Sequence, residues 1–380
     1  MGEPSPFGRE QVRDVAAKRP RRRPLPAALL ALLALALPLL VTLLSGCGGG
    51  SSSDATTTGT PRPSGTTSAT GTTVRAGSVR VRVTEVARNL DTVWALAWDA
   101  QGRLWYTQRG GTLTRLGDTP RKIAGVVENG EGGLMGLELD RQDRVYLMYT
   151  AANENRIVRL NGDGTQTVLV RGIRAASIHD GGRLRFGPDG MLYAGTGDAS
   201  DGDLARPDSG ALNGRILRID PSSGKVTVVS TGHRNPQGLC FAPDGRLFST
   251  EHGPDHGDEI NIITPGADGG WPDVSGNGIH NYTPTIAPAG CTFYTSNRIP
   301  QWNGSLFFVT LKDQSLHRLT FTANGSVSGD EVLFKNQYGR LRDVRVGPDG
   351  DLYIATSSRD GRGSPGPSDD RILRVSPAAG

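Results

Sequence analysis

The sequence predicts an all-β fold, a six-bladed β-propeller. Three observations lead there. A unit of strand, tight turn and strand recurs six times along the chain. Most of its turns carry Asp-Gly or a close relative, a strong hairpin signal because both central residues tolerate the left-handed backbone region. No segment keeps the apolar spacing of a long helix. Strand-only repeats of roughly 40–60 residues indicate propeller blades. A β-sandwich is the rival, and so regular a period disfavours it.

The series opens with "ALAWDAQGRLWYT" (95–107) and continues with "GLELDRQDRVYLM" (136–148), "RLRFGPDGMLYAG" (183–195) and "GLCFAPDGRLFST" (238–250). A weaker copy with a longer turn, "TFYTSNRIPQWNGSLFFVT" (292–310), precedes the last, "DVRVGPDGDLYIA" (343–355). Several units add another strand, such as "RILRID" (215–220) and "RILRVS" (371–376). The propeller is expected over residues 78–377. It begins with the alternation Val79-Arg80-Val81-Arg82-Val83, the pattern of a half-buried strand.

The preceding residues read as targeting and spacing. A basic run, Lys18-Arg19-Pro20-Arg21-Arg22-Arg23, is followed by an apolar stretch (25–44) and then by Leu44-Ser45-Gly46-Cys47. This is the layout of an export signal, and its end resembles a bacterial lipobox. Residues 1–46 are therefore expected to be a lipoprotein signal peptide, with Cys47 taking the lipid. An uncleaved anchor is the alternative, since about 20 apolar residues can span a bilayer. The basic region is long, and a non-Met start near Val12 would shorten it. Residues 47–77 are Gly, Ser, Thr and Pro with few large apolar residues, the composition of a flexible tether. The expectation is an exported protein, lipid-anchored to the cell membrane, with its domain facing the periplasm or exterior.

The formal charge of +4 does not imply a nucleic-acid partner. Residues 1–46 hold seven of the 42 Lys and Arg and three of the 38 Asp and Glu, which leaves 35 of each sign in the remainder. There is no basic footprint for DNA or RNA. Of three cysteines, Cys240 and Cys291 remain after Cys47. In an exported protein they could pair; two buried thiols in different strands are the alternative.

Four stretches place polar side chains at the ends of predicted strands. "SIHDGG" puts His179 before a glycine pair, and "GTGDAS" puts Asp198 beyond the returning strand. A hairpin returns to its starting edge, so the two could meet, and a carboxylate beside an imidazole suits a general base. A histidine capping a turn is the alternative. "TGHRNPQG" places Arg234 and Asn235 at the same station of the next unit; the planar fork of an arginine suits a carboxylate or conjugated carbonyls, while a rim ion pair is the plainer reading. "TEHGPDHGDEINII" mixes six acids and histidines with Gly and Pro. Carboxylates and carbonyls favour calcium, zinc is less suited because the HExxH spacing is absent, and a solvated acidic loop is the plain reading. Lys312, Arg340 and Arg342 are separated cations at strand ends. Placed around one channel mouth they would suit a polyanion.

"GEGGLMGLELD", "HDGGRLRFGPDGMLYAGTGD", "GHRNPQGL", "EHGPDHGDEIN", "GGWP", "LKD" and "RLRDV" together resemble the soluble quinoprotein glucose/sorbosone dehydrogenase family, in particular its aldose sugar dehydrogenase branch. The resemblance runs from about Val93 to Val375. It implies a propeller that holds pyrroloquinoline quinone (PQQ) and Ca²⁺ and oxidises the C1 hydroxyl of an aldose to the lactone. By this resemblance His179 is the general base, supported by Asp198, and hydride passes to the quinone. Arg234 and Asn235 match the pair at the reactive carbonyl, where Arg234 stabilises developing charge. Lys312, Arg340 and Arg342 match cations that hold the cofactor. Gly253 and Pro254 match carbonyl ligands of the cofactor's calcium; Glu259 and Gly269 match a second, structural calcium site. Glu131 stands where the family often has a cofactor-contacting Gln, and an acid there repels a tricarboxylate unless protonated or turned toward a cation. Gly269 replaces a frequent Tyr. Short loops imply an open pocket, broad sugar specificity and a monomer. No CxxCH haem motif is present, so the electron acceptor is expected to be external. Two other functions stand beside this one: a calcium-dependent propeller lactonase, and a non-catalytic propeller lipoprotein that binds a sugar or protein.

Overall fold

The computed structural model describes residues 71–378. Twenty-five strands and two short 3₁₀ turns lie among them. They form six antiparallel sheets, and the innermost strands neighbour one another in a closed cycle. This is a six-bladed β-propeller. The expected signal peptide, Cys47 and most of the expected tether lie outside the described residues.

Each sequence unit is the inner hairpin of one blade. The six innermost strands are Val93–Trp98, Leu134–Leu139, Gly181–Phe186, Pro236–Phe241, Pro288–Phe293 and Leu341–Val346. They define blades 1 to 6. Their partners are Leu104–Gln108, Val145–Thr150, Leu192–Thr196, Leu247–Glu251, Leu306–Thr310 and Leu352–Thr356. The hairpin turns differ from expectation in one respect. Gly190, Gly245 and Gly350 take positive φ, but the aspartates before them do not. Asp189, Asp244 and Asp349 instead accept the amide two residues on through their carboxylates, so each turn needs only one left-handed residue.

The ring closes in blade 6, where Val79–Ala87 pairs with the last strand, Ile372–Pro377, with Val83 opposite Val375. A further strand, Thr72–Ala76, adds to the edge. The expected tether boundary at residue 77 therefore moves back to about Thr72. The reason is Gly77, whose φ of 61° lets the chain reverse so that Ala76 faces Val79.

Apolar side chains pack between blades, and the largest buried cluster runs across blades 1 to 3. Cys240 and Cys291, on the inner strands of blades 4 and 5, form a disulfide with Cα atoms 5.8 Å apart. The axis is polar. Arg185 reaches the carbonyls of Leu239 and Cys291 and the carboxylate of Glu138, thereby touching blades 2, 4 and 5. Arg345 shares Glu138 at 2.9 Å, and Arg183 pairs with Asp343 at 3.1 Å. Burial pushes the Arg185 guanidinium down to about 9. These buried ion pairs link the innermost strands of different blades.

Candidate active site

The polar side chains meet at the mouth because an inner strand begins where its partner ends. In blade 3, Gly181 pairs with Thr196. His179 and Asp198 lie two residues beyond each, and His179 Nδ1 stands 2.8 Å from Asp198 Oδ1. His179 adopts φ +64°, and its amide donates to Glu131 Oε2 at 3.1 Å. After Asp198, Ala199 and Ser200 are also left-handed, at φ 52° and 61°. Three such non-glycine residues around one pair of side chains mark a turn held by its surroundings. Gly197 allows it, since a Cβ there would overlap the His179 carbonyl.

Asp198 is 2% exposed and accepts three bonds. Oδ1 takes His179 Nδ1 and the Ser200 amide at 2.8 Å; Oδ2 takes Trp271 Nε1 at 2.9 Å. Two of the three donors are unambiguous N–H groups, so the carboxylate is an acceptor throughout. His179 therefore carries its proton on Nδ1 and presents Nε2 as a lone pair.

Arg234 lies at the opening of blade 4. Its amide donates to Glu251, and its Nη1 donates to the Gly253 carbonyl at 2.7 Å. The guanidinium lies 5.2 Å from the centre of the Trp271 ring. Its Nε is buried without a partner among the described residues, and burial lowers its pKa. Asn235 accepts the Gly181 amide at 3.1 Å. Arg342 donates to Gln237 at 2.9 Å and lies 3.6 Å from Asp360; its Nε too lacks a partner among the described residues. Burial pushes Arg342 down to about 10. Arg340 binds Asp360 through Nε and Nη2, both at 2.8 Å, and the Leu311 carbonyl at 3.1 Å. The next residue, Lys312, is exposed and donates to Thr285 Oγ1 at 2.7 Å.

Glu131 faces this group of cations. Burial opposes its charge, but the His179 amide and the fields of Arg362 and Arg342 outweigh it and hold the carboxyl below the usual range. Arg362 Nη1 lies 2.7 Å from Glu131 Oε1. Glu131 is thus ionised and turned toward a cation.

The expected metal positions are partly brought together. Gly253, Glu259 and Gly269 line one small cavity of about 10 Å³ with Glu251 and Trp271; Pro254 is exposed and stands outside it. Burial, and then the charge of Glu251, push the Glu259 carboxyl up. Among the described residues no three His, Cys, Asp or Glu side chains are grouped for a metal. An ion here would rely on two carboxylates and backbone carbonyls.

Sequence reasoning gave no individual role to Trp271, Asp180 or Asp360, and met His252 only as one of the six acids and histidines of its loop. His252 follows Glu251 directly, and burial pushes its imidazole down to about 3, so it is neutral. Asp180, the neighbour of His179, accepts Asn155 Nδ2 at 2.8 Å and the Ala176 amide at 3.1 Å; burial raises it to about 6. Asp360 binds both Arg340 and Arg342. None has a local spacing signal. Trp271 was visible only as part of "GGWP".

Fold and site together define a propeller whose channel mouth sets an oriented imidazole among buried arginines. The chain belongs to the Glucose / Sorbosone dehydrogenase family, which it matches over residues 90–373. Its structure is similar to the PQQ-bound aldose sugar dehydrogenase of Streptomyces coelicolor, with 34% identity, a TM-score of 0.71, and coverage of 81% of this chain and 98% of that one. It is also similar to the aldose sugar dehydrogenase of Escherichia coli K12, 29% identical over 80% of this chain and 94% of the relative. The quinoprotein glucose dehydrogenase B of Acinetobacter calcoaceticus is 25% identical over 72% of this chain and 84% of the relative.

Proposed function

We propose that this protein is a PQQ-dependent sugar dehydrogenase that oxidises the C1 hydroxyl of aldoses to the lactone. The observation that carries the reading is the His179–Asp198 contact of 2.8 Å at the mouth of a cationic channel. Family membership and the PQQ-bound relative support it.

The residues present fit the cofactor. The buried Nε atoms of Arg234 and Arg342 and the Nε2 of His252 have no partners among the described residues, and a tricarboxylate with adjacent carbonyls offers acceptors for the two arginines. Arg234, Asn235, Lys312, Arg340 and Arg342 would hold it. When bound, the quinone supplies the two-electron acceptor. His179 Nε2 takes the proton of the sugar hydroxyl, and the Asp198 carboxylate stabilises the imidazolium that forms. Glu131 does not act against the cofactor: its charge is matched by Arg362, and it holds the His179 backbone in its left-handed turn.

Calcium belongs to the same reading. Glu251 and Glu259 face a cavity with room for about one water-sized particle, and their mutual repulsion is relieved by a hard cation with carbonyl ligands. Export is likewise proposed. The lipobox-like Leu44-Ser45-Gly46-Cys47 supports it, as does the Cys240–Cys291 disulfide, a bond suited to an oxidising compartment. The electron acceptor would be external and the protein a monomer.

The test is reconstitution of the purified protein with PQQ and Ca²⁺, following dye reduction across a panel of aldoses. Activity that requires PQQ supports the reading, and loss on chelation supports the calcium. A folded protein that does not bind PQQ sinks both.

A further inference from the structure

We propose that Trp271 is the positioning residue of this site, and that one indole holds both the Asp198 carboxylate and the Arg234 guanidinium. The inference rests on the dehydrogenase reading for its catalytic consequence, but the contacts exist without it.

The two oxygens of Asp198 are served unequally. Oδ1 accepts His179 and Ser200, both residues of the same hairpin loops. Among the described residues Oδ2 has the Trp271 N–H as its partner, from 73 positions along the chain. A carboxylate held at Oδ1 alone can swing about its side-chain bond. Holding Oδ2 as well fixes its plane, and with it the direction in which the His179 ring presents Nε2. The Trp271 ring meanwhile lies beneath the Arg234 guanidinium at 5.2 Å. The general base and the proposed carbonyl-binding cation are thus aligned against the same rigid plate.

Trp271 is itself anchored. Its amide donates to the Gly232 carbonyl at 3.1 Å, two residues before Arg234. Asp268 bridges to Thr231 and accepts the Gly270 amide at 3.0 Å. On the other side Gly202 leaves room for the Trp271–Pro272 pair; a Cβ there would lie 2.7 Å from Pro272 Cβ. The indole is only half-buried, yet its polar edge points inward to a carboxylate that is itself buried. A tryptophan serving packing alone would not need that orientation.

Trp271→Phe removes the N–H and keeps a ring under Arg234; Trp271→Leu removes both. The first readout is the His179 Nδ1–H proton in ¹⁵N-edited NMR of the protein without cofactor. Wild type should show a protected resonance, and Trp271→Phe a shifted or exchange-broadened one. In reconstituted protein, Trp271→Phe should lower kcat about tenfold at unchanged sugar KM. PQQ should bind Trp271→Leu about 2- to 30-fold more weakly than Trp271→Phe. An unchanged Nδ1–H resonance in Trp271→Phe overturns the Asp198 half of the proposal, and equal PQQ binding by the two variants overturns the Arg234 half. If wild type oxidises no aldose, the dehydrogenase reading fails while the NMR comparison still decides the Asp198 contact. Should Trp271→Phe not fold, benzothienylalanine at 271, which keeps the ring shape and lacks the N–H, takes its place with the same outcomes.

Discussion

Asp198→Asn separates charge from geometry at the proposed base. The amide can sit two ways. With its NH₂ toward Trp271, one N–H faces one N–H, and the oxygen still accepts His179 Nδ1 and the Ser200 amide. With its NH₂ toward His179, it conflicts with the Ser200 amide as well and forces the wrong imidazole tautomer, a change costing on the order of 10⁴-fold in rate elsewhere. The contacts around Oδ1 favour the first arrangement. His179 then keeps its tautomer and loses only the stabilisation of its imidazolium. Unit charges about 4 Å apart attract by about 4 kcal/mol at an effective dielectric of 20. A neutral acceptor retains about 1 kcal/mol. The remaining 3 kcal/mol or so predicts a fall of about 150-fold in kcat. The donor facing Trp271 separately lowers folding stability by about 1–3 kcal/mol. Steady-state dye reduction at saturating PQQ and sugar measures the first, and urea denaturation the second. A variant that keeps half of the wild-type kcat would refute the assignment of His179 as base.

Three further outcomes follow from other contacts. Arg342→Gln removes a buried guanidinium whose Nε has no partner among the described residues; PQQ binding measured by titration should weaken about 10- to 100-fold, with the melting temperature unchanged or raised. Asp180 is raised by burial to about 6. Between its unfolded value near 3.8 and 6 the folded state therefore binds more protons, and stability falls as pH rises through that window by about 3 kcal/mol in all. Asp180→Asn should remove this fall, and denaturation midpoints at pH 4 and pH 7.5 that change as in wild type would contradict it. Replacing both Cys240 and Cys291 by Ala opens a loop closed across a separation of 51 residues, which on chain entropy alone lowers stability by about 4 kcal/mol; an unchanged denaturation midpoint would show that the bond contributes nothing.

The site was partly legible in the sequence, and the parts that were not share a cause. His179 and Asp198 could be paired in advance because a hairpin is local: strand, Asp-Gly turn and returning strand, from Gly181 to Thr196, bring both to one edge. Arg234 and Asn235 were legible by station, since they hold the same place in the next repeat. The loop that suggested calcium was legible from its acids and carbonyls, but the individual metal ligands were expected only through family resemblance. Gly253 and Gly269 come from loops and Glu259 from the third strand of blade 4 (Asp258–Ile262), with no repeat pattern that relates them, and Pro254 does not line their cavity. Glu131 looked like an obstacle to an anionic cofactor; its charge is met by Arg362, over 230 positions away on a loop of blade 6.

By itself the sequence determined the all-β class, the six-fold repeat and the end of each blade at which polar residues gather. These follow from alternation and turn chemistry, which act over a few residues. The tertiary structure decided which polar residues touch. Closure of the ring paired Val83 with Val375, while packing between blades and loops joined Cys240 to Cys291, set Arg362 against Glu131 and turned the Trp271 N–H onto Asp198. Such contacts depend on how blades and loops far apart in the chain pack against one another. Local hydrogen bonding and hydrophobic periodicity carry no record of that packing.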